Sequence, residues 1–272
     1  MTPAQDPAFA ALTRRISDAA GLTLDAYKDK CVQRRIAVRM RACGVHTYGD
    51  YMELLGRMPG EFERLKDALT INVTRFYRNP EAWARLADGL LRSVWLLDAP
   101  LRCWSAGCAS GEEAYSLAML AGEVASAAGR PDALERVRVD ATDIDRTSLA
   151  RARAARYRAE ALAELPAEVR ARWLVPDGPE FRVAEPIRQR VTITARDLLR
   201  ESPPANGYQL IACRNVIIYF DRPMQERLFA AFADALVPGG LLLLGKVETL
   251  FGPARHQLTP VDPRERIFRR DA

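Results

Sequence analysis

The apolar positions of this chain change their period near Leu101. Before it they recur every three to four residues, the spacing of one face of a helix. "PAFAALTRRISDAAG" is amphipathic and closes on Gly21, a candidate C-cap. A second helix is expected over "AYKDKCVQRRIAVRMRACG", closing on Gly44, with Val32, Ile36 and Met40 forming one apolar stripe. Thr47 is a candidate N-cap for "TYGDYMELLGRM", and "GEFERLKDALTI" follows. No strand is expected before Leu101, and "LLRSVWLLDAP" reads as a link.

After Leu101, short apolar runs alternate with helical patterns. "LRCWSAG", "VRVDATDID", "VTITARD", "YQLIACRNVI" and "LLLLGKV" read as strands. "EEAYSLAMLAGEVASAAG", "RTSLARARAARY" and "PMQERLFAAFADALVPGG" read as the helices between them, and the alternating "RERIFRR" as a last edge strand. This rhythm predicts an α/β fold with a mainly parallel, doubly wound sheet. The stretch from about 156 to 190 breaks the rhythm and reads as a small insertion. The expected organisation is a helical domain over 1–85 and an α/β domain over 86–272.

Composition narrows the class. A chain of 272 residues with 49% hydrophobic content can bury one large core or two modest ones. The five cysteines are odd in number and contain no CxxC pair, which speaks against a disulfide framework or a zinc site and for a reducing cytosol. Neither a signal peptide nor a membrane-spanning run is apparent, so a cytoplasmic location is expected. The net charge of +5 makes acidic partners plausible.

In parallel sheets of this kind, ligands bind beyond the carboxyl ends of the strands. The small-residue turn Ser105–Gly111 falls there, with Gly107 and Gly111 allowing a close approach to the backbone. It is neither GxGxxG nor a P-loop. Glu112 and Glu113 follow where a pyrophosphate would need positive potential, so a ligand with a cationic or amine end is favoured. Asp143 ends the second strand, where an acid can hydrogen-bond a ribose diol; Asp145 is placed to cap the next helix. A phosphate-free nucleoside with an amino-acid tail, S-adenosylmethionine, fits these features, as does a more generic use of the fold. The two glycines can also serve a tight turn alone.

Three stretches extend this reading. "LTINVTRFYRNPEAW", "SAGCASGEEAYSLA" and "CRNVIIYF" resemble, in order and spacing, motifs of the chemotaxis receptor methyltransferases, the CheR family. The resemblance implies a Rossmann-like S-adenosyl-L-methionine methyltransferase sheet, an N-terminal all-α domain and a small β-rich insertion. It implies methylation of glutamate side chains on the cytoplasmic helical bundle of a chemoreceptor, leaving S-adenosyl-L-homocysteine. Carried over to matching positions, it implies cofactor contacts from Asn72, Thr74, Arg78, Glu112 or Glu113, Asp143, Asp197, Leu198, Arg214 and Asn215. It also places Tyr219 beside the reacting methyl. Tyr77 replaces a Phe of the linker motif, and Gly245-Lys246-Val247-Glu248 stands where the family has Gly-His-Ser-Glu.

The chemistry is consistent. A glutamate with a reference pKa near ~4.3 is already anionic at neutral pH, so no general base is required. His46 and His256 lie outside these motifs. Arg78 and Arg214 are candidates to hold the incoming carboxylate by forked hydrogen bonds, with Tyr219 orienting it. Arg78 is equally a candidate for the cofactor's carboxylate. For docking, the basic second helix offers Arg34, Arg35, Arg39 and Arg41 to an acidic bundle. Nucleic acid is disfavoured because no aromatics interleave with these charges. No metal is implied, and a monomer is the default. Other readings are a receptor-binding module with little turnover, a methyltransferase for another acidic protein, or one for a small carboxylate.

Overall fold

A computed structural model of the chain describes residues 6–20, 22–70 and 74–271. Gly21 and Asn72, two positions singled out above, lie outside the described residues. Contacts divide the chain into two units. One comprises Met1–Asn72 with Tyr219–Gln225, the other Val73–Ile218 with Glu226–Ala272. Residues 73–85 therefore group with the larger unit rather than with the helices before them.

In the helical unit, α1 (Pro7–Ala20), α2 (Asp29–Ala42), α3 (Tyr48–Arg57) and α4 (Pro59–Leu69) pack in pairs, α1 on α3 and α2 on α4. Val32, Ile36 and Met40 are buried, as their spacing predicts. The Thr47 hydroxyl accepts the Asp50 N–H at 3.1 Å and caps α3. The second helix begins at Asp29 rather than Ala26, because Leu24–Ala26 forms a separate 3-10 turn.

The larger unit is a seven-stranded sheet. Its strands are β1 (Leu101–Ala106), β2 (Val137–Asp143), β6 (Val191–Ala195), β7 (Tyr208–Cys213), β8 (Leu236–Leu244), β9 (Leu258–Asp262) and β10 (Ile267–Arg270). The order is β6-β2-β1-β7-β8-β10-β9, with the first five parallel. β10 runs antiparallel to both its neighbours, β8 and β9, and β9 forms the edge; the expected edge strand, β10, is thus covered on both sides. Leu241–Leu244 of β8 is a continuous buried run, as parallel strands covered on both faces require. The helices of this unit are α5 (Pro80–Arg85), α6 (Glu112–Ala127), α7 (Arg146–Ala154), α8 (Ala167–Trp173), α9 (Glu185–Arg188) and α10 (Arg222–Ala235), whose first turn groups with the helical unit.

The insertion forms a separate antiparallel sheet, β3 (Arg156–Tyr157), β5 (Glu180–Val183) and β4 (Leu174–Asp177) in that order. It is fastened to α6. A Cβ on Gly122 would stand 2.9 Å from the Trp173 ring, and Glu123 accepts from Trp173 Nε1 at 2.7 Å and from Arg172 at 2.9 Å.

Candidate functional site

The turn after β1 packs closely against neighbouring protein. Gly107, Ala109 and Gly111 have φ of 83°, 46° and 95°, left-handed values that glycine adopts without strain. A Cβ on Gly107 would lie 2.6 Å from Val216 Cγ2, and one on Gly111 would lie 2.9 Å from Ala152 Cβ. Close packing against the protein itself therefore accounts for both glycines. The Gly107 and Cys108 N–H groups donate to the Thr142 carbonyl at 2.8 and 2.9 Å. Tyr157 of the insertion donates its hydroxyl to the Ser110 carbonyl at 2.7 Å.

Asp143 ends β2 beside this turn. Its Oδ2 accepts the Ala109 N–H at 2.8 Å and its Oδ1 the Asp145 N–H at 2.9 Å. Burial raises its carboxyl above the ordinary range, against the pull of those bonds. Asp145 caps α7, accepting from Thr147 and Ser148. The two glutamates that open α6 are both buried, and burial pushes both carboxyls up. Each takes a hydroxyl bond at 2.8 Å, Glu112 from Ser110 and Glu113 from Ser105. The positive charges of Arg214 and Arg78 oppose the rise at Glu113.

Arg214 follows β7 and is 7% exposed. Its Nη2 donates to the Arg78 carbonyl at 2.7 Å and to Asn79 Oδ1 at 2.9 Å. The Arg78 carbonyl also accepts Trp83 Nε1 at 3.0 Å. Tyr77 and Asn79 flank Arg78 with φ of 51° and 58°. Two left-handed non-glycine residues so close together store strain, on the order of 1–3 kcal/mol each, which surrounding bonds must hold. Those bonds are Tyr77 N–H to Ser116 Oγ at 3.1 Å and Asn79 N–H to Glu164 Oε2 at 2.7 Å. Thr74, Arg75, Arg78, Asn79 and Glu164 line a cleft of about 260 Å³.

On the far side of β2, the Arg196 N–H donates to the Asp143 carbonyl at 2.9 Å, which sets the turn after β6 beside Asp143. Asp197 accepts the Leu199 N–H at 2.8 Å within that turn, and Leu198 is half-buried. After Arg214, Asn215 adopts φ 61°, and its Oδ1 is buried without a hydrogen bond. The Arg214 Nε is buried in the same condition.

Three of the expected residues, Tyr219, Arg35 and Arg39, make contacts within the helical unit. Tyr219 groups with the helical unit, where the Arg35 guanidinium stacks 4.5 Å from its ring centroid. Arg35 is buried, bonding the Leu69 carbonyl, so it is removed from an exposed docking face. Arg39 is engaged in a forked pair with Glu61 at 2.9 and 2.6 Å, which Tyr51 completes with its hydroxyl at 2.9 Å. Arg35 and Arg39 turn inward because positions i and i+4 share a face, and this is the face packed on α4. Arg34 and Arg41 remain exposed.

Glu248 is a further functional position, one that no local pattern marks. Its buried carboxylate accepts four backbone N–H groups, from Gly245 at 2.6 Å, Asn215 and Val216 at 3.0 Å, and Ile217 at 2.9 Å. It thereby shapes the loop that carries Asn215. The available signal was that the Glu stays in place while Lys246 and Val247 depart from the family pattern. Lys246 reaches Glu81 at 3.2 Å and Glu265 at 3.7 Å.

The acids, Arg214 and the orphaned atoms follow the carboxyl ends of neighbouring strands, and the Arg78 carbonyl is bonded to Arg214. The CheR methyltransferase SAM binding domain matches residues 72–265, and the CheR methyltransferase all-alpha domain matches 7–70. This chain belongs to the CheR methyltransferase family. It is a methyltransferase that uses S-adenosylmethionine. It is 35% identical to the chemotaxis protein methyltransferase of Klebsiella aerogenes over 254 residues, 90% of this chain and 84% of that protein. It is 34% identical to chemotaxis protein methyltransferase 2 of Pseudomonas aeruginosa, covering 93% and 90%. It is also 35% identical to an uncharacterized 104.1 kDa protein of Rhodobacter capsulatus, of which it spans 23%.

The residues present suit the cofactor. Buried acids can face an amine and a diol, and Asn215 Oδ1 and Arg214 Nε are polar atoms still lacking a partner. Among the described residues no group of His, Cys, Asp and Glu is arranged to hold a metal, and no helix is long and apolar enough to cross a membrane.

Proposed function

We propose that this chain esterifies glutamate side chains on the cytoplasmic helices of a chemoreceptor, in the cytoplasm. The observation that carries the proposal is Arg214, a buried guanidinium fixed by the Arg78 carbonyl and Asn79 within a set of buried acids. S-adenosylmethionine, when bound, supplies an electrophilic methyl group on a sulfonium. Asp143 would hold its ribose, the turn of Asp197 and Leu198 its base, and Glu112 or Glu113 its amine, with Thr74, Asn72 and Asn215 as further contacts. Arg214 and Arg78 would hold the incoming carboxylate. A carboxylate is the nucleophile as it arrives, so these side chains have no proton to remove. Their task is alignment and exclusion of water, which can supply a large share of the rate. Lys246 and Val247 leave the machinery intact on this reading, since Glu248 keeps all four of its bonds.

The test is transfer of radiolabelled methyl from S-adenosylmethionine to membranes carrying chemoreceptors of the same cell. Label on the receptor band that mild alkali releases as methanol is expected. Absence of label, with cofactor binding confirmed separately, would redirect the reading to another acidic substrate or to a binding module with little turnover.

A further inference from the structure

We infer that Glu164 is a positioning residue through which the insertion sets Arg214. The inference rests on the role proposed above for Arg214. Glu164 lies between the 3-10 turn Ala159–Leu162 and α8, far in sequence from both the linker motif and β7. Its Oε2 accepts the Asn79 N–H at 2.7 Å. That bond holds a residue in the left-handed region, which asparagine enters more readily than most side chains do, though still at some cost in strain. The same Asn79 turns its Oδ1 onto Arg214 Nη2 at 2.9 Å, and the carbonyl of Arg78, one residue earlier, takes the other bond at 2.7 Å. Two of the groups that aim the Arg214 fork thus depend on the turn that Glu164 holds. A second stitch, the Phe76 N–H to the Ala161 carbonyl at 3.0 Å, ties the same motif to the same stretch of the insertion.

Glu164 also pairs with Arg75 at 3.6 Å, and its side chain is 28% exposed. The pair with Arg75 is partly solvated and weak, and Arg214 feels the Glu164 charge less than those of Glu113, Arg78 and Glu248, so the reach to Asn79 is the main working feature. Reach and charge can be separated. Glu164→Gln keeps the reach and loses the charge. Glu164→Asp keeps the charge and draws the acceptor back by one methylene.

Three readouts on the full chain test the idea: receptor methylation kinetics, S-adenosylhomocysteine affinity by calorimetry, and the Arg214 Nε–H resonance in ¹⁵N NMR, assigned by its loss in Arg214→Lys. Glu164→Asp is expected to lower kcat at least about ten-fold, because a small misplacement of an aligning group costs that much or more. It should also shift the Arg214 resonance and leave calorimetric affinity within about two-fold. Glu164→Gln should stay near wild type in all three. An unmoved Arg214 resonance with unchanged kcat in Glu164→Asp would overturn the inference. So would the reverse pattern, with Gln impaired and Asp normal, which would assign the effect to charge. If the wild type labels no receptor, the functional reading fails alone, while the resonance still reports whether Glu164 sets Arg214.

Discussion

Of the carboxyl groups at the site, Glu112, Glu113 and Glu248 are buried and Asp143 is half-buried, and desolvation raises each above the ordinary range. Between the unfolded and the raised folded pKa, the folded state binds more protons, so these groups favour the fold as pH falls and cost stability as pH rises. Glu61 behaves oppositely. Burial pushes it up, but bonds from Arg39 and Tyr51 outweigh that and leave it below the ordinary range. Its contribution is present above about pH 4.3, the reference value, and is lost as pH falls through its folded pKa. Ligand binding has a separate dependence, because a protonated Glu112 or Glu113 no longer attracts a cationic amine, and a protonated Asp143 accepts more weakly from a diol. On acidification from neutral pH, S-adenosylhomocysteine affinity should therefore fall at a pH above the ordinary carboxylate range, before the protein melts. Calorimetry across pH, with circular dichroism on the same samples, checks this. Affinity that stays level until unfolding begins would show that no raised carboxyl faces the ligand.

Among the elements, the turn between β1 and α6 is the most sharply constrained. Gly107→Ala meets two obstacles, a φ of 83° and a Cβ 2.6 Å from Val216 Cγ2. Backbone strain of about 1–2 kcal/mol is expected from the first alone. Val216→Ala in the same chain removes the clash but not the strain. Gly107→Ala should lower both melting temperature and cofactor affinity, and the double variant should recover only part of each; full recovery would mean that the left-handed conformation is not required. This turn was legible because small residues between a strand and a helix have few other uses. Thr47 as a cap and the Val32, Ile36, Met40 stripe were legible for the same reason, since each rests on residues close in sequence. What stayed hidden depends on distant partners. Glu248 sits outside the motif it organises. The strand Leu258–Asp262 contains a proline and lacks a clear alternation, so β10 was expected at the edge that β9 occupies. The inward turn of Arg35 and Arg39 requires Leu69 and Glu61, which no local pattern announces.

Across the whole molecule, the charge left on α2 after those two arginines are removed defines what an acidic partner can meet. Lys30, Arg34 and Arg41 are exposed at spacings of four and seven, one face of the helix, with Val38 47% exposed among them. Exposed charges of this kind raise encounter rates and are screened over a Debye length of about 10 Å at 0.1 M salt. The buried site is screened much less. Raising salt from about 0.05 to 0.5 M should therefore increase KM for receptor membranes several-fold while cofactor affinity stays nearly constant. Arg34→Glu and Arg41→Glu should raise KM at low salt and flatten its salt dependence, with melting temperature unchanged. Arg39→Ala should act differently. It leaves Glu61, 1% exposed, without its forked partner, a loss on the order of 2–3 kcal/mol for a pair whose arginine is itself partly solvated. Its signature is a lower melting temperature, with the salt slope of KM retained in the folded fraction. If Arg34→Glu and Arg41→Glu leave KM and its slope untouched, the receptor does not dock on this face, and the net charge of +5 acts elsewhere on the chain.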